Sequence, residues 1–252
     1  MNDIEARLGL ARNIAVEAGK IAQRHRQQGL TIDQKAEADF VTDADLAVEK
    51  FLVERIQRSF PDDAIFAEET TKQVGDGGVW VLDPIDGTTN FSSGMDLWGI
   101  SIGWMKGNRR EFGVIFAPDR RELFWARRGF GAFLGDTPLN VTALARAPST
   151  IVLGKAPSSP VDQYLGYIDQ CYGAGLDYRR LGAATMCLTH VARGWSGAYL
   201  EGHVNSWDCA AGLVICEEAG CIISEETANM DLVRGGPVMV AHPEIYPLFQ
   251  GR

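Results

Sequence analysis

Apolar residues recur at helical spacing near the start of the chain. Ile4, Leu8, Ala11, Ile14, Ala15, Ala18 and Ile21 share one face, charged residues fill the gaps, and Gly29 stops the run. The spacing predicts an amphipathic helix over 4–28. After a polar stretch, Thr42 and Asp43 have the chemistry of an N-cap for a second helix carrying Leu46, Val48, Phe51, Leu52 and Ile56, which ends before Pro61. From residue 64 to about 133 the pattern shortens to β-like runs at 65–67, 79–82, 98–105, 112–116 and 123–126. Gly, Asp, Asn and Pro separate them, predicting an antiparallel or mixed sheet. Beyond Asn140 strands (151–154, 197–200) alternate with helices (near 161–172, near 183–192, and 206–219). The first part therefore reads as α+β and the second as α/β. The seam falls at 143–149, dividing an N-terminal subdomain over 1–143 from a C-terminal one over 144–252 that shares a buried interface with it.

With 252 residues, 46% of them hydrophobic, the chain can bury a large core without disulfides or a structural metal. Its apolar runs are far shorter than the roughly 20 residues that cross a bilayer, and residues 1–20 carry mixed charge. No membrane span or signal peptide is expected. Five cysteines (Cys171, Cys187, Cys209, Cys216, Cys221) lack C-x-x-C spacing, so a reducing cytoplasm is the simple expectation. A net charge of −9 disfavours nucleic acid and anionic membrane as partners. If the protein handles phosphates, cations must supply the positive charge.

The segment Trp80-Val81-Leu82-Asp83-Pro84-Ile85-Asp86-Gly87-Thr88-Thr89-Asn90-Phe91 runs from an apolar strand into two aspartates, a glycine and two hydroxyl residues. Pro84 stiffens the backbone so that Asp83 and Asp86 can turn toward one point, and Gly87 lets a ligand approach the main chain. Hard cations such as Mg²⁺ favour this all-oxygen environment. Taken alone, D-P-x-D-G also reads as a strand-to-loop turn, because Asp, Pro and Gly favour turns for local reasons. Further acids add weight: Glu68-Glu69 closes an apolar run, Asp45 opens the second helix and Asp208 follows Trp207 at the start of another. Isolated acids at such places usually serve as caps.

Val41-Thr42-Asp43-Ala44-Asp45, Glu68-Glu69, residues 83–91 and Trp207-Asp208-Cys209-Ala210-Ala211-Gly212 together resemble, in order and spacing, the signature blocks of the inositol monophosphatase family. Gly113-Val114-Ile115, residues 128–133 and Glu217-Glu218-Ala219-Gly220 extend the resemblance over nearly the whole chain. It implies a layered α-β-α-β-α sandwich of the inositol monophosphatase and fructose-1,6-bisphosphatase type. It also implies a cytoplasmic phosphoric monoester hydrolase that is homodimeric, lithium-sensitive and dependent on two to three Mg²⁺ ions per subunit. By the same resemblance Glu68, Asp83 and the carbonyl of Ile85 hold one ion, Asp83, Asp86 and Asp208 a second, and Glu68 a third through water. Thr88 and Asp45, with Glu68, activate the attacking water. The main-chain N–H groups of Gly87, Thr88 and Thr89 are expected to bind phosphate at a helix N-terminus.

The resemblance implies a small phosphorylated substrate, contacted by Asp86, Asp208, Gly182, Ala183, Ala184 and Glu201. Inositol-type enzymes carry Gly-Thr-Ala where this chain has Gly182-Ala183-Ala184, which removes one hydroxyl from the substrate wall. Inositol monophosphate is the leading expectation. Histidinol phosphate, fructose 1,6-bisphosphate and NADP are alternatives, and nucleotide bisphosphates are disfavoured because Thr89-Asn90 stands where those enzymes usually have Lys-Glu. His203, between Glu201 and Asp208, is a weaker candidate at the mouth, and Lys35 matches a lysine that some relatives place near water. The basic pairs at 109–110, 120–121 and 127–128 read as solvated edges and turns. A non-catalytic alternative is a partner of transcription or ribosome-maturation machinery, as in some bacterial proteins that this one resembles.

Overall fold

The computed structural model describes residues 3–36, 39–73, 77–157 and 159–250, with side-chain detail outside 34–40. The chain opens with α1 (Asp3–Gln28), the hairpin β1 (Ile32–Ala36) and β2 (Asp39–Thr42), and α2 (Asp43–Ser59). Next come β3 (Ala64–Ala67), β4 (Gly78–Asp86), the short α3 (Thr88–Ser92), β5 (Gly99–Lys106), β6 (Arg109–Ala117), β7 (Glu122–Arg127), β8 (Gly131–Leu134) and β9 (Thr137–Leu139). The rest comprises β10 (Thr150–Leu153), α4 (Val161–Gly173), β11 (Asp177–Arg179), α5 (Ala184–Ala192), β12 (Ala198–Val204), α6 (Ser206–Glu218), β13 (Ile222–Ile223), α7 (Glu225–Ala228) and β14 (Gly236–Ala241).

Two main sheets result. Strands β3 to β9 form one in sequential order, and a five-stranded sheet runs β11-β10-β12-β14-β13. Helices α1 and α2 cover the outer face of the first sheet, α5 and α6 lie between the sheets, and α4 covers the second. This is the expected α-β-α-β-α sandwich. The outer helices obey the sequence pattern: α1 buries Leu8, Ala11, Ile14, Ala15, Ala18 and Ala22 against the sheet. Helix α6 differs, being apolar around its whole circumference because it packs between layers.

The fit of α6 on the sheet leaves no slack. A Cβ on Gly113 of β6 would lie 2.1 Å from the carbonyl oxygen of Ala211 and 2.6 Å from its Cα, and one on Gly212 would meet Leu188 at 2.4 Å. The run Ala210-Ala211-Gly212 thus lets backbone approach backbone, which sets how far the first turn of α6 reaches.

Strand β4 contains the device that makes Asp83-Pro84-Ile85-Asp86 useful. In a regular strand, residues three apart point to opposite faces. Here Asp83 pairs with Ser101 but Asp86 pairs with Gly99, so β4 carries one extra residue at a bulge. The extra residue corrects the parity, and Pro84, which has no N–H to donate, sits where the ladder is interrupted.

Several elements were not foreseen from side-chain pattern: the β1–β2 hairpin, the extension of β4 through Asp86, and strands β8, β9, β13 and β14. Arg110, expected in solvent, is instead 7% exposed and donates to the carbonyl of Ala228 at 3.2 Å. Replacing Gly113 by Ala should cost about 3 kcal/mol or abolish folding, since the obstruction is backbone. Gly9→Ala, on an open face of α1 with nothing within 4 Å, should stabilise by about 0.5–1 kcal/mol. Urea unfolding of both variants checks the contrast.

Candidate metal-binding and catalytic cleft

A cleft of about 580 Å³ opens at the junction of the two sheets. Its floor is acidic. Glu68 follows β3, Asp83 lies in β4 and Asp208 lies in the first turn of α6, and one carboxylate oxygen from each falls within 4.8 Å of the others. Burial raises the Asp83 carboxyl well above the usual range, and the charges of Glu68, Asp86 and Asp208 raise it further. Asp208 is raised likewise, by burial first and then by Asp86 and Glu68. Neither has a Lys or Arg partner within salt-bridge distance among the described residues. An all-oxygen donor set in a low-dielectric pocket fits a hard divalent cation.

Asp83, Asp208 and Asp45 are each aimed by a local hydrogen bond. Asp83 Oδ1 accepts from the N–H of Ile85 at 3.0 Å. Asp208 stands at the third position of its helix and its Oδ2 accepts from the N–H of Asn205, the N-cap, at 3.2 Å. Asp45 repeats this capping box in α2: its Oδ2 accepts from the N–H of Thr42 at 2.8 Å, while Oδ1 accepts from the Thr88 hydroxyl at 3.3 Å. The Thr88 hydroxyl is also 3.1 Å from the carbonyl of Ile85.

Asp86 lies beside the triad and lines the same cleft, but its Oδ2 accepts from both the N–H of Thr185, at 2.6 Å, and the Thr185 hydroxyl. Burial pushes its carboxyl up to about 6, against these bonds and one from the Gly87 N–H. Gly87 has φ +86, and a Cβ there would meet Ala183 at 2.9 Å, so only glycine fits between the two layers. Helix α3, which begins at Thr88, is only five residues long.

The structure brings Glu68, Asp83, Ile85, Asp86, Gly87, Thr88, Thr89, Gly182, Ala183, Ala184, Glu201 and Asp208 to the wall of one cleft, with His203 at its margin. Asp45 is fully buried just behind Thr88. The Lys35 side chain lies outside the described residues. Sequence reading missed the groups that hold these acids. Thr185 aims Asp86. Glu49, a buried acid one helical turn after Asp45, accepts from the N–H groups of Glu69 and Thr70 at 2.7 and 2.8 Å and from that of Thr71, so it fixes the loop that carries Glu68. Its i+4 spacing from Asp45, on the apolar side of α2, is the signal that was available. Trp207 packs at a tilt against Phe66, ring centroids 5.6 Å apart, with the Lys72 ammonium 3.7 Å above the Trp207 ring.

Glu201 comes from β12 and is held by Tyr199, whose hydroxyl donates to Oε2 at 2.5 Å. Burial pushes its carboxyl up to about 7, Asp86 adds to this, and Arg180 and Lys155 partly oppose it.

A layered sandwich with a carboxylate-lined cleft between its sheets defines a class of mixed α/β proteins, and the acidic cluster in this cleft could hold a metal ion. The model of the inositol monophosphatase family matches residues 3–249, and the chain belongs to that family. It is 34% identical over 242 residues to the Nus factor SuhB of Haemophilus influenzae, covering 93% of this chain and 90% of that one. The extragenic suppressor protein suhB from Bartonella henselae superposes with a TM-score of 0.88 at 28% identity, over 98% of this chain and all of the other. A Staphylococcus aureus IMPase-II solved with inositol monophosphate bound gives 0.79 at 26% identity, covering 95% and 90%.

The Glu201 carboxyl ionises near pH 4.5 in the unfolded chain and only near 7 in the fold, so its burial destabilises progressively as pH rises through that window. Glu201→Gln should therefore stabilise the metal-free protein at pH 8 by about 2–3 kcal/mol. The gain should shrink toward zero near pH 4.5. Thermal unfolding of both proteins across pH 4.5–8 checks the sign.

Proposed function

We propose that this protein is a Mg²⁺-dependent phosphoric monoester hydrolase acting on small phosphorylated alcohols, inositol monophosphate first among them. The observation that carries the reading is the Glu68, Asp83 and Asp208 triad beside the Thr88–Asp45 pair. Divalent cations held by Glu68, Asp83, Asp86, Asp208 and the carbonyl of Ile85 would neutralise the phosphate, acidify a water and stabilise the departing oxygen.

The remaining work belongs to the chain. The one Thr88 hydroxyl proton has two acceptors, the Ile85 carbonyl at 3.1 Å and Asp45 Oδ1 at 3.3 Å; given to Asp45, it leaves the Thr88 oxygen with lone pairs to accept from an attacking water, and Asp45 at the end of that proton path. Its second oxygen is fixed by Thr42, so the pair is positioned before substrate arrives. The N–H groups of Thr88 and Thr89 offer donors to the phosphate oxygens, while that of Gly87 already serves Asp86. Glu201 keeps one oxygen for a substrate hydroxyl, because the other accepts from Tyr199. Ala183 and Ala184 supply no hydroxyl to the sugar side, which keeps histidinol phosphate, fructose 1,6-bisphosphate and NADP as alternatives.

Among the described residues no helix is long and apolar enough to cross a membrane, and all five cysteines are free and buried. These support a cytoplasmic enzyme, which we take to work as a homodimer inhibited by Li⁺. A second reading rests on the name Nus factor SuhB carried by the Haemophilus relative: a role as partner of transcription machinery, in place of turnover or beside it.

Asp83→Asn and Asp208→Asn should each lower kcat by at least about 10²-fold in excess Mg²⁺, because each deletes a ligand at constant volume. Turnover equal to wild type would sink the assignment. Thr88→Ala should reduce kcat by about 10²-fold while inhibition by inorganic phosphate is retained. If the wild type releases no phosphate from any ester yet binds a purified transcription complex, the second reading stands instead.

A further inference from the structure

The turn after β3 carries Glu68, and its backbone polar groups are collected from two sides. The Glu49 carboxylate of α2 takes the N–H groups of Glu69, Thr70 and Thr71. The carbonyls go to a cation. The Lys72 side chain folds back along its own turn, and its ammonium donates to the carbonyl of Glu68 at 2.8 Å and to that of Ala67. Main-chain bonds close the turn around it: the N–H of Ala67 donates to the carbonyl of Thr71 at 2.6 Å, and that of Gln73 to the carbonyl of Ile65 at 2.7 Å.

The same ammonium stands 3.7 Å from the centre of the Trp207 ring and 5.0 Å from that of Phe66, which leans on Trp207. Both distances fall inside the roughly 6 Å over which a cation is drawn to an aromatic face. Trp207 precedes Asp208 in the first turn of α6, and its carbonyl accepts from the Ser101 hydroxyl at 3.1 Å, which fixes that turn to β5. Glu68, Trp207 and Asp208 line the cleft, while Lys72 lies outside its lining and grips the wall from behind. An exposed lysine ordinarily leaves its ammonium in water. Lys72 is exposed, yet its ammonium is drawn onto the two segments, far apart in sequence, that carry Glu68 and Asp208.

We propose that Lys72 is a positioning residue for the metal site: by holding the Glu68 main chain and the Trp207 ring to one ammonium, it sets the gap across which Glu68 and Asp208 face each other, and with it the affinity for divalent cations. The inference rests on the metal-binding part of the function proposed above. It carries a sign that a bystander charge would not give. An ammonium that merely stood near the acids would repel a cation, and its removal would tighten binding. Because Lys72 holds two ligands at their separation, its removal loosens the gap, so more freedom is lost when the cation arrives and binding weakens.

The test titrates metal-free protein with Mg²⁺ in a calorimeter, for wild type, Lys72→Met and Lys72→Arg. Methionine keeps an unbranched stem without the donors or the charge, whereas arginine keeps both. Lys72→Met should raise the Mg²⁺ dissociation constant by about 5- to 10-fold, and Lys72→Arg should stay within about 3-fold of wild type. With p-nitrophenyl phosphate, the Mg²⁺ concentration that gives half-maximal rate should shift in the same ratio, with the effect falling there rather than on kcat at saturating Mg²⁺. Unchanged or tighter Mg²⁺ binding by Lys72→Met overturns the proposal. So does an equal weakening in Lys72→Arg, which would assign the effect to packing of the turn rather than to the ammonium. If wild type takes up Mg²⁺ but hydrolyses no ester, the phosphatase reading fails and the calorimetric comparison still decides the role of Lys72. If wild type takes up no Mg²⁺, both fall.

Discussion

Mutual repulsion among buried carboxylates is the constraint around which this molecule is arranged. Glu68, Asp83 and Asp208 converge within 4.8 Å, with Asp86 alongside, and burial makes each added negative charge more costly. The acids stay in place because one oxygen of most of them is tied to nearby structure. Asp83 is tied to the Ile85 N–H, Asp86 to Thr185, and Asp45 and Asp208 to the N-caps of their helices. The other oxygen of Asp45 accepts from Thr88, and Asp83, Asp86 and Asp208 all line the cleft.

This explains why elements far apart in sequence must register so closely. Asp208 is aimed correctly only if α6 sits deep against β6, which the Gly113–Ala211 contact permits. Asp83 and Asp86 share a face only because the bulge at Pro84 and Ile85 shifts the parity of β4. Glu68 stays near them because Glu49, from another helix, gathers the N–H groups of the loop that follows it.

The outer helices and the central strands were legible in the sequence because each depends on hydrophobic period, the order of layers came through the resemblance to the inositol monophosphatase family, and the motif acids were legible because their types and order are distinctive. The hairpin at 32–42 was not, since its pairing satisfies backbone groups and leaves little alternation in side chains. Arg110 escaped because a charged residue in a strand reads as solvent-facing, whereas its partner is a carbonyl 118 positions away in sequence. Thr185, Tyr199 and Glu49 share that difficulty: a residue whose task is to orient another is recognisable only once the two are brought together.

The close seating of α6 also limits where change can be absorbed. The half of the cleft that gathers cations is locked between Gly113, Ala211, Gly212 and Leu188, with no volume to give. The opposite rim carries Lys155 and Arg180, just beyond β10 and β11, and their hydrogen bonds go to main-chain oxygens. An architecture of this kind keeps its chemistry fixed and leaves its selectivity open to revision, one rim residue at a time.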